Sequence, residues 1–454
     1  MNVATTDFDR IAKQARDRVL AEMIEQLGRL HWDYATLAGH RRSALAATLA
    51  FAVERSPWHA ERLARVDLGA VAPDDLTSLP IMTKRDLMAN WDRAVTDRRL
   101  SLERASAHLA SVDADGPSFL LDEYLVFATG GSTGEPGVFP WSLDEFSRWV
   151  ASSVRLGADL GDPPPERMTF LGARSPRHPS AMPPLLLYGV ETGRRHTVPI
   201  DQPLGDVVSA LNAADPDSMW VVSSVLPALV AAKASGTLSI APDRIAVGGD
   251  WVDPAALDAA ATTFGVRPTV TYPTTDLGHV AAETPGEGSM TMNDDLLIVE
   301  TVDADEQPVP PGDLSHHVLV TSLHHRTIPM IRYRLDDRIR IDPTQGRYAA
   351  YGRIAEIDGR ADDLFHYPDA IVHPHVFRSV LCAHASIADH QVRQTDCGAH
   401  VSVIAEGALD IDRLRADLRV ALGRAGLSDP DVTIEPVDML PRSAVGKRLH
   451  FIAR

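Results

Sequence analysis

The sequence predicts a large α/β N-terminal domain followed by a small α+β C-terminal domain. Three observations carry this. Between residues 124 and 272, apolar runs of strand length alternate with helix-like segments, the βαβα pattern of a largely parallel sheet covered by helices. Three later apolar runs have no helix between them, which predicts an antiparallel β subdomain. After Gly359-Arg-Ala-Asp-Asp363, about ninety residues show strand and helix patterns on a smaller scale. A chain of 454 residues, 44% hydrophobic and 23% charged, is long enough for two or three domains with sizeable cores.

In order along the chain, Ile11, Val19, Met23 and Leu27 recur at helical spacing, and Ala44 to Val53 is rich in helix formers, so residues 7–55 read as helical. Pro73 to Pro80 is punctuated by prolines and reads as a turn-rich connection, after which Thr83, with Asp86 three residues on, caps a helix. Strands are expected at Tyr124–Ala128, Met168–Gly172, Trp220–Ser223, Arg244–Val247 and Thr269–Tyr272, with helices at Asp206–Ala213, Leu226–Ala234 and Pro254–Thr263. Leu296–Thr301, His317–Thr321 and Arg338–Ile341 are the runs assigned to the antiparallel subdomain. In the small domain, Val401–Ala405 and Val432–Val437 read as strands, and Ile411, Leu414, Leu418, Ala421 and Leu422 mark one face of a helix.

Bulk properties exclude several classes. A net charge of −18 disfavours nucleic acid and anionic membranes as partners. Two cysteines, Cys382 and Cys397, cannot form a disulfide framework or a four-cysteine zinc site. The longest apolar run is too short to span a bilayer, and Met1 to Asp7 shows no secretory pattern, so a cytoplasmic protein is expected. The histidines His366, His373, His375, His384 and His390 show no metal-ligand spacing and read as scattered surface residues.

The motif richest in chemistry is Phe127-Ala-Thr-Gly-Gly-Ser-Thr-Gly-Glu-Pro136. An apolar run enters a turn of three glycines and two hydroxyl residues, where backbone N–H groups can approach a polyphosphate without a Cβ in the way. It lacks the Lys-Ser or Lys-Thr of a P-loop. Alone it reads equally as an ordinary polar loop between a strand and a helix. Four segments follow it in fixed order: Thr271-Tyr-Pro-Thr-Thr-Asp276, Ile331-Arg-Tyr-Arg-Leu-Asp-Asp337, Gly359-Arg-Ala-Asp-Asp363 and Pro441-Arg-Ser-Ala-Val-Gly-Lys447.

Together these segments resemble the adenylate-forming superfamily of acyl-CoA ligases, adenylation domains and luciferases. Within it, Ser56-Pro-Trp-His59 and the stretch from Asp75 to Lys84 resemble the phenylacetate-CoA ligase-like branch. The resemblance covers nearly the whole chain and implies domains at 1–361 and 362–454, the second mobile about a hinge at Asp362. It implies that Thr129, Gly130, Gly131, Ser132, Thr133 and Gly134 hold the β- and γ-phosphates of ATP. It further implies that Tyr272 stacks near adenine, with Pro273 and Thr274 beside the nucleotide, that Thr275 reaches the α-phosphate and that Asp276 ligates Mg²⁺. By the same resemblance Asp337 is expected to hold the ribose hydroxyls, a task suited to the two side-by-side oxygens of a carboxylate. Arg360 lies near ribose or phosphate, and Gly249 and Asp250 lie along adenine. Arg177, His178, Gly248 and Gly278 fall on the acid-binding side. The resemblance also implies that Lys447 bridges the attacking carboxylate and the α-phosphate; a cation placed there stabilises the transition state more than the ground state.

Two departures stand out. Glu135 occupies a position where many relatives carry Lys, and Asp369 one where they carry the glycine that lines the path of the pantetheine arm. Asp336 stands where relatives have Gly and reads as a surface charge. The resemblance implies ATP-dependent, AMP-forming activation of a carboxylic acid, aromatic by family expectation, with CoA as the usual acceptor. Two alternatives stay open. One keeps ATP activation with another acceptor, giving an amide or nitrite-dependent diazotisation of an aryl amine. The other is a nucleotide-binding protein without turnover, which has little use for Lys447. Neither the acid nor the oligomeric state is legible.

Overall fold

The computed structural model describes residues 3–115, 117–129, 137–162, 164–173, 175–181, 195–200, 202–249, 254–358, 365–372, 374–381, 383–384, 386–405, 407–440 and 451–452. The chain opens with helices α1 (Val3–Leu30), α2 (Tyr34–Arg55), α3 (Pro57–Arg62), α4 (Lys84–Ala89), α5 (Trp91–Ala94) and α6 (Leu102–Asp115). Their starts follow capping chemistry. Asp33 accepts the Thr36 N–H ahead of α2, Ser56 caps α3 with Pro57 in its first turn, and Thr83 and Asp86 form a reciprocal capping box on α4. The helical expectation for residues 7–55 and the capped start at Thr83 are thus observed.

A hairpin of β1 (Tyr124–Ala128) and β2 (Val138–Ser142) leads into α7 (Leu143–Asp159). The parallel half follows as β3 (Met168–Gly172), β4 (Arg195–Pro199), α8 (Leu204–Ala214), β5 (Ser218–Val222), α9 (Leu226–Ala234), β6 (Arg244–Gly248), α10 (Pro254–Phe264) and β7 (Thr269–Thr274). Then come β8 (Gly278–Glu283), β9 (Met290–Met292), β10 (Leu297–Val302), β11 (His317–Ser322), β12 (Tyr333–Leu335), β13 (Arg338–Asp342) and β14 (Arg353–Asp358). Among the described residues the main sheet has nine strands in the order β13-β14-β9-β8-β7-β6-β5-β3-β4. It is parallel from β4 to β7 and antiparallel from β7 to β13. Leu211, Leu226, Leu229 and Leu257 of the three crossover helices bury against Leu171, Val221 and Val247 of the parallel strands.

The three runs assigned to the antiparallel subdomain are antiparallel, but they divide between two sheets. β10, β11 and β12 form a separate three-stranded sheet, but Arg338–Asp342 pairs with β14 at the edge of the main sheet. Strand character is a local property, whereas the choice of partner strand is not.

The last unit contains β15 (Phe365–His366), β16 (Ile371–Val372), α11 (Pro374–Leu381), β17 (Ile387–Gln394), β18 (Gly398–Ala405), α12 (Ile411–Arg424), β19 (Asp431–Pro436) and β20 (Phe451–Ile452). Its four-stranded sheet, ordered β19-β18-β17-β20, has a core of its own around Phe365, Phe377, Val401, Leu414 and Phe451. The α+β expectation is met; the hinge and the 361/362 boundary lie outside the described residues. Among the described residues, no helix is long and apolar enough to cross a membrane.

Candidate functional site

The glycine-rich motif joins strand to strand, not strand to helix. Ala128 pairs with Val138 across the β1–β2 hairpin, so residues 129–137 form its connection. Thr129 closes the foot of that loop: its N–H donates to the Gly137 carbonyl at 3.0 Å, and its Oγ1 accepts the Gly137 N–H at 2.8 Å. A Cβ on Gly137 would lie 2.4 Å from the Phe139 ring, so only glycine fits there. Gly130, Gly131, Ser132, Thr133, Gly134 and Glu135 lie outside the described residues.

The segment after β3 docks beside this foot, because Ala128 N–H donates to the Arg177 carbonyl at 2.9 Å. Arg177 and His178 are half-buried. Ser180 N–H donates to His178 Nδ1 at 3.3 Å, which makes Nδ1 an acceptor and places the ring proton of the neutral form on Nε2. Ser180 Oγ lies 2.8 Å from the same Nδ1 and accepts from Ala173 N–H. The Arg177–His178 segment is therefore built against both β1 and β3.

The β7–β8 connection carries the next motif. Tyr272, buried, donates its hydroxyl to Asp337 Oδ2 at 2.6 Å, across 65 residues of sequence. Asp337 sits half-buried between β12 and β13. Thr274 Oγ1 accepts Leu277 N–H at 3.0 Å and rounds off the turn. Trp141 Nε1 donates to the Thr275 carbonyl at 3.2 Å. Asp276 is 4% exposed, and among the described residues no hydrogen bond reaches its carboxylate. A carboxylate in this turn supplies the oxygen donor that a hard divalent ion takes. Gly278 holds a φ of +84°, and a Cβ there would lie 3.1 Å from the Trp149 ring and 3.4 Å from Trp141.

The end of β6 approaches the same turn. A Cβ on Gly248 would lie 2.4 Å from Thr271 Oγ1 and 3.2 Å from Pro273 Cδ, and Gly249 follows with a φ of +86°. Thr129, Arg177, His178, Gly248, Gly249, Tyr272, Pro273, Thr274, Thr275, Asp276, Gly278 and Asp337 thus fall on connections and strand ends of one sheet and its adjoining hairpin. Asp250, Arg360, Asp362 and Lys447 lie outside the described residues. Asp336 pairs with Arg334 at 2.9 Å, as a surface charge would. Asp369 is exposed, and its carboxylate accepts Ser428 N–H at 2.9 Å within the small unit; that bond holds its pKa below the usual carboxylate range.

Sequence reasoning missed the supports. Glu145 accepts Ser142, Arg326 and Thr327 N–H groups and the Thr327 hydroxyl, tying α7 to the chain before β12. The Ser142-x-x-Glu145 spacing is a capping-box signal that was available. Arg155 and Asp295, both fully buried, pair bidentately at 2.7 and 2.9 Å, and Arg155 also donates to Asn293. No sequence signal marks that pair.

No family model matches the chain. Among curated proteins, phenylacetate-coenzyme A ligase of Aromatoleum evansii is 21% identical over 429 residues, spanning 88% of this chain and 83% of that protein. Among solved structures, 2-hydroxyisobutyryl-CoA ligase with 2-HIB-AMP and CoA in the thioesterification state gives a TM-score of 0.61 at 16% identity, covering 93% of this chain and 91% of the other. The open conformation of that ligase gives 0.53 over the same shares. The chain therefore has the fold of the adenylate-forming enzymes and resembles phenylacetate-coenzyme A ligase over most of its length.

Proposed function

We propose that this protein is an ATP-dependent, AMP-forming ligase that activates an aromatic carboxylic acid and passes the acyl group to CoA. The observation that carries the reading is the 2.6 Å bond between Tyr272 and Asp337. It joins two motifs far apart in sequence into one polar edge beside the glycine-rich hairpin. An aromatic face and a two-oxygen acceptor suit a purine and its ribose.

In the first half-reaction an acid oxygen bonds to the α-phosphorus, the bond to the bridging oxygen breaks, and pyrophosphate leaves. In the second, the thiol sulfur bonds to the acyl carbon, the bond to AMP breaks, and the thiol proton passes to solvent. Thr129 and the loop beyond it receive the outer phosphates. Asp276 would hold Mg²⁺, which when bound offsets phosphate charge. Lys447, carried by the small domain at 362–454 as it turns about Asp362, brings a compact cation to the α-phosphate. Arg360 adds a second positive group. The acid lies toward Arg177, His178, Gly248 and Gly278, the last packed against the buried Trp149 and Trp141. The bond from Asp369 to Ser428 supports CoA as acceptor, because a carboxylate engaged within its own unit obstructs a thiol arm less.

The test is pyrophosphate exchange into ATP across a panel of aryl acids, followed by product analysis with CoA. Lys447→Ala should slow adenylation by about 10²–10³-fold, as for loss of one transition-state electrostatic contact. An unchanged rate would show that the lysine plays no part, and amide or diazo products in place of a thioester would reassign the acceptor.

A further inference from the structure

We propose that Trp141, aimed by a stacked His325, is a positioning residue that fixes the turn carrying Asp276. The inference rests on the ligase reading for its catalytic consequence, but its structural content stands apart. Trp141 is fully buried on β2, the strand that leaves the glycine-rich loop. Its indole N–H bonds to the Thr275 carbonyl. That oxygen shares a planar peptide unit with the nitrogen and Cα of Asp276, so holding one fixes the other.

The indole cannot swing. The His325 ring stacks on it with centroids 3.9 Å apart and planes 11° apart. His325 Nε2 lies 3.1 Å from the Pro140 carbonyl, which can only accept, so Nε2 carries the proton. The backbone beyond His325 is pinned in turn: Arg326 and Thr327 N–H both donate to the buried Glu145. The far side of the turn is clamped as well, by Asn293 Nδ2 on the His279 carbonyl at 2.7 Å and by the two indoles against Gly278. One strand thus supports both the phosphate loop and the Asp276 turn, and the Trp141 bond is the polar strut between them.

Trp141→Phe removes the N–H donor while keeping a ring against His325. Trp91→Phe is the matched control, because the buried Trp91 also spends its indole N–H on this hairpin, at the Val138 carbonyl 2.9 Å away. Hydrogen–deuterium exchange across residues 272–281 should quicken by about tenfold in Trp141→Phe and not in Trp91→Phe. Exchange-assay kcat should fall by about tenfold in Trp141→Phe, with KM for the acid within about a factor of two. Unchanged amide exchange at 272–281, or an equal kcat loss in Trp91→Phe, would overturn the inference. A wild-type protein silent toward every acid would overturn the ligase reading instead, and the amide-exchange comparison would still decide the strut.

Discussion

Arg332 shows how one residue can hold a motif in place. It adopts a φ of +48°, a region that costs a non-glycine residue on the order of 1 kcal/mol and persists only where other contacts impose it. Here they do. Its side chain pairs with Glu300 and donates to the carbonyls of Thr77 and Leu79, and its N–H donates to Thr321 Oγ1. Its carbonyl accepts Met82 N–H, and Arg334 N–H donates to the Met82 carbonyl, so the proline-punctuated segment before α4 lies along the strand that leads to Asp337. Burial pushes the Glu300 carboxyl up, and Arg332 opposes that push. Arg332→Ala should therefore cost about 2–4 kcal/mol in denaturant unfolding, because a partly buried carboxylate loses its counter-charge. Arg332→Ala with Glu300→Gln should recover part of the loss. A loss below about 1 kcal/mol in the single variant would show that the pair contributes no more than a surface bridge.

At the scale of elements, β6 and β7 meet so closely that Gly248 is the only residue their contact admits. Gly248→Ala would drive a Cβ into Thr271 Oγ1 and the Thr271 carbonyl, which lies 2.7 Å away. We expect a loss of about 1–3 kcal/mol from overpacking, with weaker ATP binding by calorimetry because the β7 end carries Tyr272. Full stability and affinity in the variant would refute the steric argument. These strands were legible: Arg244–Gly248 and Thr269–Thr274 are short apolar runs between helix patterns, and period and composition suffice to find them. The helix Leu143–Asp159 is absent from the sequence expectation, although its capping box was there to read. What the sequence cannot carry is pairing. The sheet that the antiparallel strand at Arg338–Ile341 joins, and the hairpin setting of the glycine-rich loop, are decided by partners distant along the chain. The site divides the same way. Tyr272, Asp276 and Asp337 stand out through local motifs, whereas Trp141, Glu145 and Arg155 act through contacts 134, 181 and 140 residues away and leave no local trace.

For the molecule as a whole, buried histidines set a sensitivity to acid. His59, His279 and His324 are buried in the large unit, and desolvation pushes each pKa down to about 3. In the unfolded chain each returns to about 6.5. The folded-state values lie below the unfolded ones, so above about pH 6.5 both states are neutral at these rings and nothing is lost. As pH falls below that, only the unfolded chain takes up the protons, and stability drops until the folded values near 3 are reached. Each ring costs about 1.4 kcal/mol per pH unit in that window, so three cost about 4 kcal/mol per unit and about 6 kcal/mol by pH 5. That is comparable to the whole stability of an ordinary domain, about 5–15 kcal/mol. All seven tryptophans, from Trp32 to Trp251, lie in the same part of the chain, so their fluorescence reports on the unit that holds these rings. We expect cooperative loss of the native tryptophan signal between about pH 5 and pH 4, with uptake of about three to four protons beyond the carboxylate contribution, because burial also pushes His317 down, to about 4. His59→Phe should move the midpoint to lower pH even though it gives up the bond to the Pro329 carbonyl, because one of the buried rings that take up a proton on unfolding disappears. Unfolding free energy that stays level from pH 6.5 to pH 5, in urea titrations at each pH, would rule out the buried neutral rings as its cause.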